Sequence, residues 1–408
     1  MFLQILDMPF SSFNKIPVIL ILFIFLTACN KKPTLEFPED VVAEINDTLA
    51  RMQQSLTKYQ ELTPAYLASK KPYVEHFANR SWPVNSANIS FLVAKDGKII
   101  YEKYQGYANK NLGSVIVSDT PLHIASVSKV LTATAILELI DKGKINLNTK
   151  VNSILKSFPY PEITLQTLLN HRSGLRNYAY FTEDKGVWDR KKPLTNVDLL
   201  RILGEKNIQT EYPNDKRFTY CNTNYAILAL IIEKVTGLKF PVAMNEMIFK
   251  PLGMKNTFVF DYFKDRSTIV PSYKGNNVEI GIDYLDCVYG DKNIYSTPRD
   301  LLKFDLARNS PRFLKPDLLA KVYKGYSNER KGTKNYGLGI RMINWETGQN
   351  FYFHNGWWHG NTSSYISLKK ENVVIIALSN KFNSMTYKVR NLAPLFGNYP
   401  FDLKELED

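Results

Sequence analysis

The chain has 408 residues, 44% of them hydrophobic, which is ample for a large core and, at ~150 residues per domain, for two or three domains or one α/β enzyme with an inserted lobe. Lys and Arg outnumber Asp and Glu by 52 to 39, a net charge of +13 that reads as a solvated mixed-charge surface, with some attraction for anionic lipid or cell-wall polymer, and not as a nucleic-acid site. Cysteine is scarce (Cys29, Cys221 and Cys287) and the five histidines show no metal-ligand spacing, so neither a metal nor a cofactor is expected.

At the N-terminus, Lys15 precedes an apolar run from Ile16 to Leu26 that only Pro17 interrupts, and Leu26-Thr27-Ala28-Cys29 follows. The run is too short for a membrane span of ~20 residues, and small residues precede the cysteine, so residues 1–28 read as an export signal. Leu-Thr-Ala-Cys resembles a bacterial lipobox, which implies cleavage before Cys29 and a lipid on its thiol. The product would be an exported, membrane-anchored lipoprotein of the cell envelope, on the periplasmic or outer-surface side. Residues 29–39, with Pro33 and Pro38, make a short tether. Val42, Ile45, Leu49, Met52 and Leu56 then repeat at helical spacing within an N-terminal helical segment, 40–84.

From about residue 85 the pattern is that of a catalytic domain reaching to 395, with an acidic tail, 396–408, behind it. Asp96-Gly97 between two strand-like runs predicts a type I′ hairpin. Val130 to Ile140 is apolar almost all the way round and predicts a buried helix, with Gly143 as its C′ residue. Ser126 and Lys129 stand at its entry, three residues apart and so on one face. A neutral amine there can take the proton of the serine, which makes a nucleophile with its base built in. Ser-x-x-Lys occurs five times, at Ser12, Ser55, Ser126, Ser153 and Ser367, and context singles out Ser126. Residues of about 145–290 read as a helical lobe, with Tyr220-Cys221-Asn222 on an irregular segment before a second apolar helix ending at Thr236-Gly237. Strands follow at about Gly337–Met342, Phe351–His354, Ser363–Leu368 and Val373–Leu378. The expected fold is α/β (α+β): one antiparallel sheet built from both chain ends, covered by helices, with the lobe inserted and the cleft between lobe and sheet.

Taken in order, these segments resemble the serine β-lactamase and penicillin-binding protein superfamily, in its class C β-lactamase, DD-peptidase and esterase branch. Phe91 to Tyr101 is similar to its first hairpin, Ser126-Val127-Ser128-Lys129 to its nucleophile box, and Leu168 to Leu175 to its helix-ending turn. Tyr220-Cys221-Asn222 is similar to its Tyr-x-Asn box, Gly290 to Thr297 and Tyr336 to Gly339 to two further segments, and His354-Asn355-Gly356 to its last box. The resemblance implies that Ser126 is acylated and that Lys129 is its base. It implies that Tyr220 passes the proton to the leaving group, a role needing nearby positive charge because a phenol of pKa ~10 is a poor base. Asn222 would hold the substrate amide and steady Lys129. The backbone N–H groups of Ser126 and Trp357 would form the oxyanion hole.

His354 departs from the Lys-Thr-Gly or Lys-Ser-Gly usual in β-lactamases and supplies little charge at neutral pH, which lowers the expectation of efficient β-lactam hydrolysis. Asp291-Lys292-Asn293 departs from a glycine pair. Trp357, Trp358 and His359 read equally as an aromatic wall or as strand-end packing; His171 reads as a turn residue and His123 as packing. Cys221 and Cys287 read as buried thiols. The implied activity is that of a serine hydrolase forming an acyl-enzyme on an amide or ester: a cell-wall or D-amino-acid peptide, a short acyl ester, or weakly a β-lactam. A penicillin-binding-like module without turnover is the alternative, against which the joint presence of Ser126, Lys129, Tyr220 and Asn222 speaks.

Overall fold

The structure, a computed structural model, describes residues 61–310, 312–329 and 332–401. The export signal, Cys29, the tether, the stripe from Val42 to Leu56 and the last acidic residues lie outside them. Thr63 opens helix α1 (Pro64–Ser81): its hydroxyl accepts the Tyr66 N–H at 3.2 Å, and Pro64 occupies the first helical position, where no N–H partner is needed. Val74, Phe77 and Ala78 are buried along it, with Trp82 buried just beyond its end.

Strands β1 (Ile89–Lys95) and β2 (Lys98–Gln105) form the predicted hairpin. Asp96 and Gly97 both have positive φ, 49° and 74°, as a type I′ turn demands. A seven-stranded antiparallel sheet runs in the order β3 (Lys334–Tyr336), β4 (Arg341–Asn344), β5 (Asn350–Trp358), β6 (Asn361–Leu368), β7 (Val373–Ser379), β1, β2. The β1–β7 pairing, with Phe91 opposite Ala377, joins the two ends of the chain in one sheet. Side chains alternate between its faces. Leu92, Ala94, Ile376 and Leu378 belong to the large core shared with the helices, while Phe91, Val93, Ile375 and Ala377 pack with Phe77 and Trp82 and with Val389 and Leu392 of the 3-10 segment Ser384–Leu395. Both faces being covered, β7 needs no polar alternation and has none before Ser379.

Helix α2 (Ser128–Asp141) has nearly every side chain buried, which is why its sequence is apolar all round. Each fully buried Leu or Ile contributes roughly 1.5–3 kcal/mol. The helix ends as expected: Lys142 caps it and Gly143, at φ 72°, donates to the Ile140 carbonyl at 3.0 Å. Between 145 and 290 the described residues contain helices, among them α3 (Asn222–Thr236), and no strand longer than two residues.

Two strand boundaries differ from expectation. Gly337–Ile340 is a turn and not strand: Gly337 donates to the Ile340 carbonyl at 2.8 Å and Gly339 sits at φ 83°. Strand β5 continues through Trp358, past the expected end at His354, so Gly356 and Trp357 lie in strand.

Candidate active site

Ser126 lies in the 3-10 turn Ala125–Val127 that feeds α2. Ala125 is forced to φ 47°, a left-handed conformation costing roughly 1–2 kcal/mol for a residue with a side chain. Its N–H donates to His123 Nδ1 at 3.1 Å, so the ring proton sits on Nε2, which donates to Asn293 Oδ1 at 3.1 Å. Burial pulls the His123 pKa down to about 4, keeping the ring neutral. His123 therefore braces the serine turn, a role that reading it as packing had missed.

The segment after Gly290 is zipped against the first turn of α2. Thr132 Oγ1 donates to Gly290 O at 2.8 Å, Lys129 Nζ to Asp291 O at 2.7 Å, and Ile124 N–H to Ile294 O at 2.9 Å. Ile294 N–H returns to Ser128 Oγ at 3.2 Å. Asn293 takes φ 71° here, which Asn tolerates better than most residues and which explains how it replaces glycine.

Lys129 is buried, with Nζ 3.0 Å from Ser126 Oγ. Its two hydrogen-bond partners among the described residues are that hydroxyl and the Asp291 carbonyl; no bond to Asn222 forms. Asn222 is the first residue of α3, and its Oδ1 is buried without a protein partner. Tyr220 lies two residues before α3 with its hydroxyl likewise buried and unpartnered. Two basic side chains approach its ring, Lys129 Nζ at 5.1 Å and Arg341 Cζ at 4.6 Å from the centroid. His171, at φ 59°, packs on the same ring at 4.3 Å and accepts the Cys221 N–H at 3.1 Å, so it does act as a turn residue and also orients Tyr220. Burial, with Lys129 and Arg341 nearby, holds the His171 pKa well below the usual value.

His354 is fully buried. Nδ1–H donates to its neighbour's carbonyl, Asn355 O, at 2.9 Å, and Nε2 accepts from Tyr336 Oη at 3.3 Å. Burial and the charges of Arg341 and Lys129 hold its pKa well below the imidazole value. Both nitrogens are thus engaged within the fold, and the fixed positive charge on this side comes from Arg341. Sequence reasoning passed Arg341 over, since a lone arginine at the start of a short strand carries no motif. Its guanidinium lies over the Tyr220 and Tyr336 rings and pairs with no carboxylate among the described residues. With Arg217, Phe218, Glu329 and Lys334 it lines a cavity of about 580 Å³.

Gly356 is required by contact. A Cβ there would meet Ser363 Oγ at 2.3 Å, Ile124 O at 2.6 Å and Ser126 N at 2.9 Å. Strand β4 stops opposite Phe353, leaving 354–358 of β5 paired only with β6. Trp357 is 59% exposed beside this open edge. Trp358 and His359 instead hold Asp286, through Nε1 at 2.6 Å and Nε2 at 2.9 Å. Burial pushes the Asp286 carboxyl up, but His359 and Lys292 outweigh it and hold the pKa below the usual value. Asp283, Asp286 and His359 bring ligand-type atoms within 4.8 Å of one another, a grouping that spacing along the chain did not reveal. These atoms are already engaged with one another and with Trp358. Cys221 and Cys287 are buried free thiols, each pushed up to about 11 by burial.

The family model described as Beta-lactamase matches residues 83–395. Penicillin-binding protein 4* of Bacillus subtilis is 28% identical over 341 residues, 78% of this chain and 74% of that protein. A D-aminopeptidase of Brucella anthropi is 26% identical over 61% of this chain, which spans only 48% of that relative. A penicillin-binding protein from Bacillus halodurans shares the fold, with a TM-score of 0.67 at 22% identity over 78% of this chain and 98% of its own.

Proposed function

This chain belongs to the β-lactamase family and is a serine hydrolase of that type, and on that premise we propose that it forms an acyl-enzyme on Ser126 with an amide or ester substrate. The observation that carries the assignment is Lys129 Nζ at 3.0 Å from Ser126 Oγ, with the side chains of Lys129 and Arg341 both against the Tyr220 ring. Lys129 in its neutral form takes the proton as Ser126 Oγ attacks the carbonyl carbon. The oxyanion so formed is held by the N–H groups of Ser126 and Trp357. On collapse, the leaving amine or alcohol receives its proton through Tyr220. Water then attacks the ester, giving its proton back by the same route and releasing Ser126. Asn222 and the open edge of β5 hold the acyl side, and His354 and Gly356 shape the strand.

Arg341 favours a substrate whose leaving group is anionic, because an unpaired guanidinium beside the proton-relay phenol would bind a carboxylate directly. A peptide ending in a D-amino acid, as in cell-wall stems, has that chemistry; short esters are secondary substrates and β-lactams weak ones. The enzyme would work in the cell envelope, tethered by lipid on Cys29. The support for tethering is the Leu26-Thr27-Ala28-Cys29 sequence; no helix among the described residues is long and apolar enough to cross a membrane.

The test is intact mass of residues 30–408 after a fluorophosphonate probe, beside Ser126→Ala, followed by turnover of D-amino-acid peptides and neutral esters. One adduct per chain, lost in the variant, is expected. A folded protein without an adduct would overturn the acyl-enzyme and leave the non-catalytic binding module.

A further inference from the structure

Lys292 is a second buried lysine, 2% exposed, that the proposed reaction does not use. Its Nζ donates to Tyr178 Oη at 2.6 Å and to Val288 O at 3.2 Å, and lies 3.7 Å from Asp291 Oδ1. Tyr178 Oη in turn donates to Asp291 Oδ2 at 2.9 Å. Ammonium, phenol and carboxylate thus form one chain in which each donor meets an acceptor. The ammonium also sits 5.2 Å from the Tyr178 ring centroid and 4.7 Å from that of Trp358. Burial pulls the Lys292 pKa below the usual value against the pull of Asp291 and Asp286.

Three of the residues this cation meets, Asp291, Trp358 and Tyr178, lead to the reaction centre. The backbone carbonyl of Asp291 is the acceptor for Lys129 Nζ at 2.7 Å. Trp358 follows Trp357 in β5 and is fixed by Asp286. The Tyr178 N–H donates to Thr223 Oγ1 at 2.8 Å, next to Asn222 in α3. A buried ion pair is weak evidence for stability as such. Here it ties together the elements that carry base, oxyanion strand and Tyr-x-Asn box.

We propose that Lys292 is a positioning residue for acylation, its ammonium holding the Asp291 carbonyl against Lys129 and the Trp358 end of β5 beside the serine turn. It touches no reacting atom, and the inference rests on Ser126 and Lys129 being the acylating pair.

The experiment measures the second-order rate of fluorophosphonate labelling, by intact mass, together with thermal melting and peptide KM and kcat. Wild type, Lys292→Met, Lys292→Met with Asp291→Asn, and Tyr178→Phe are compared. Lys292→Met strands a buried carboxylate and should melt lower. The double variant removes both charges and should recover much of that loss. A merely structural ion pair would let labelling recover as well; positioning keeps it at least about tenfold below wild type, in kcat more than in KM, because small misplacements of a base are costly. A folded double variant labelling at the wild-type rate overturns the proposal. Tyr178→Phe removes only a hydroxyl and decides the matter if the charge variants do not fold: slower labelling by about threefold or more supports it, and the wild-type rate overturns it. A wild-type protein that does not label at all would overturn the Ser126 assignment, and this inference with it.

Discussion

Replacing Gly356 with alanine should separate the geometry of the oxyanion site from the stability of the sheet. The new methyl would stand 2.6 Å from the Ile124 carbonyl and 2.3 Å from Ser363 Oγ, which itself donates to that carbonyl at 2.6 Å. Neither group can yield without breaking that bond. Ordinary contact begins at 3.4 Å, so β5 must retreat from the serine turn by the difference from 2.6 Å, about 0.8 Å. An oxyanion ~2.9 Å from both the Ser126 and Trp357 N–H groups would then lie ~3.7 Å from one of them, beyond hydrogen-bond reach. Loss of one such donor costs about 3 kcal/mol, on the order of 10²–10³ in kcat. The stability cost is of similar size, about 1–3 kcal/mol of overpacking with roughly 1 kcal/mol for the Ser363 bond. Labelling rate, peptide turnover and thermal melting measured on the same preparation give both numbers. Adding Ser363→Ala relieves the 2.3 Å contact but not the carbonyl clash, so it should restore melting more than rate. A folded Gly356→Ala enzyme that acylates within about threefold of wild type would refute the reasoning.

Other substitutions probe the remaining groups. Tyr220→Phe should leave melting within about 0.5 kcal/mol, since the hydroxyl has no protein partner, while turnover falls by roughly 10²–10⁴; unchanged turnover would remove Tyr220 from the proton path. Arg341→Met should lower kcat/KM for both substrate classes, because the charge beside Tyr220 is lost, but about 10–100-fold more for peptides ending in a carboxylate than for neutral esters; equal losses on both would contradict the anion-binding role. His123 has a folded pKa of about 4 against 6.5 when free, so its stabilising contribution is complete above 6.5 and is lost as pH falls toward 4. At pH 5 the loss is about 2 kcal/mol, and the downward shifts of His171 and His354 act in the same direction. Denaturant unfolding at pH 7.5 and 5.0 should show this drop, flattened in His123→Asn; identical profiles for the two proteins would refute the buried neutral ring.

Local pattern alone determined a good part of this protein. The Asp96-Gly97 hairpin, the buried helix behind Ser126 with Gly143 at its end, and the apolar run of the last strand were legible because turn chemistry and periodicity act over a few residues. Ser126 and Lys129 were legible for the same reason, being one helical turn apart and then 3.0 Å apart in space. Tertiary structure alone decided what surrounds them. Lys129 finds its second partner, Asp291 O, 162 residues away, and His123 finds Asn293 170 residues away. Arg341 reaches Tyr220 only because β4 pairs with β5 and stops at Phe353. Asn222 makes no bond to Lys129, whose partners among the described residues are Ser126 Oγ and the Asp291 carbonyl. A side chain's partners across the cleft depend on how distant segments are brought together, and no short window of sequence contains that information; the charge at Tyr220, the brace under Ser126 and the clamp around Lys292 all arise there.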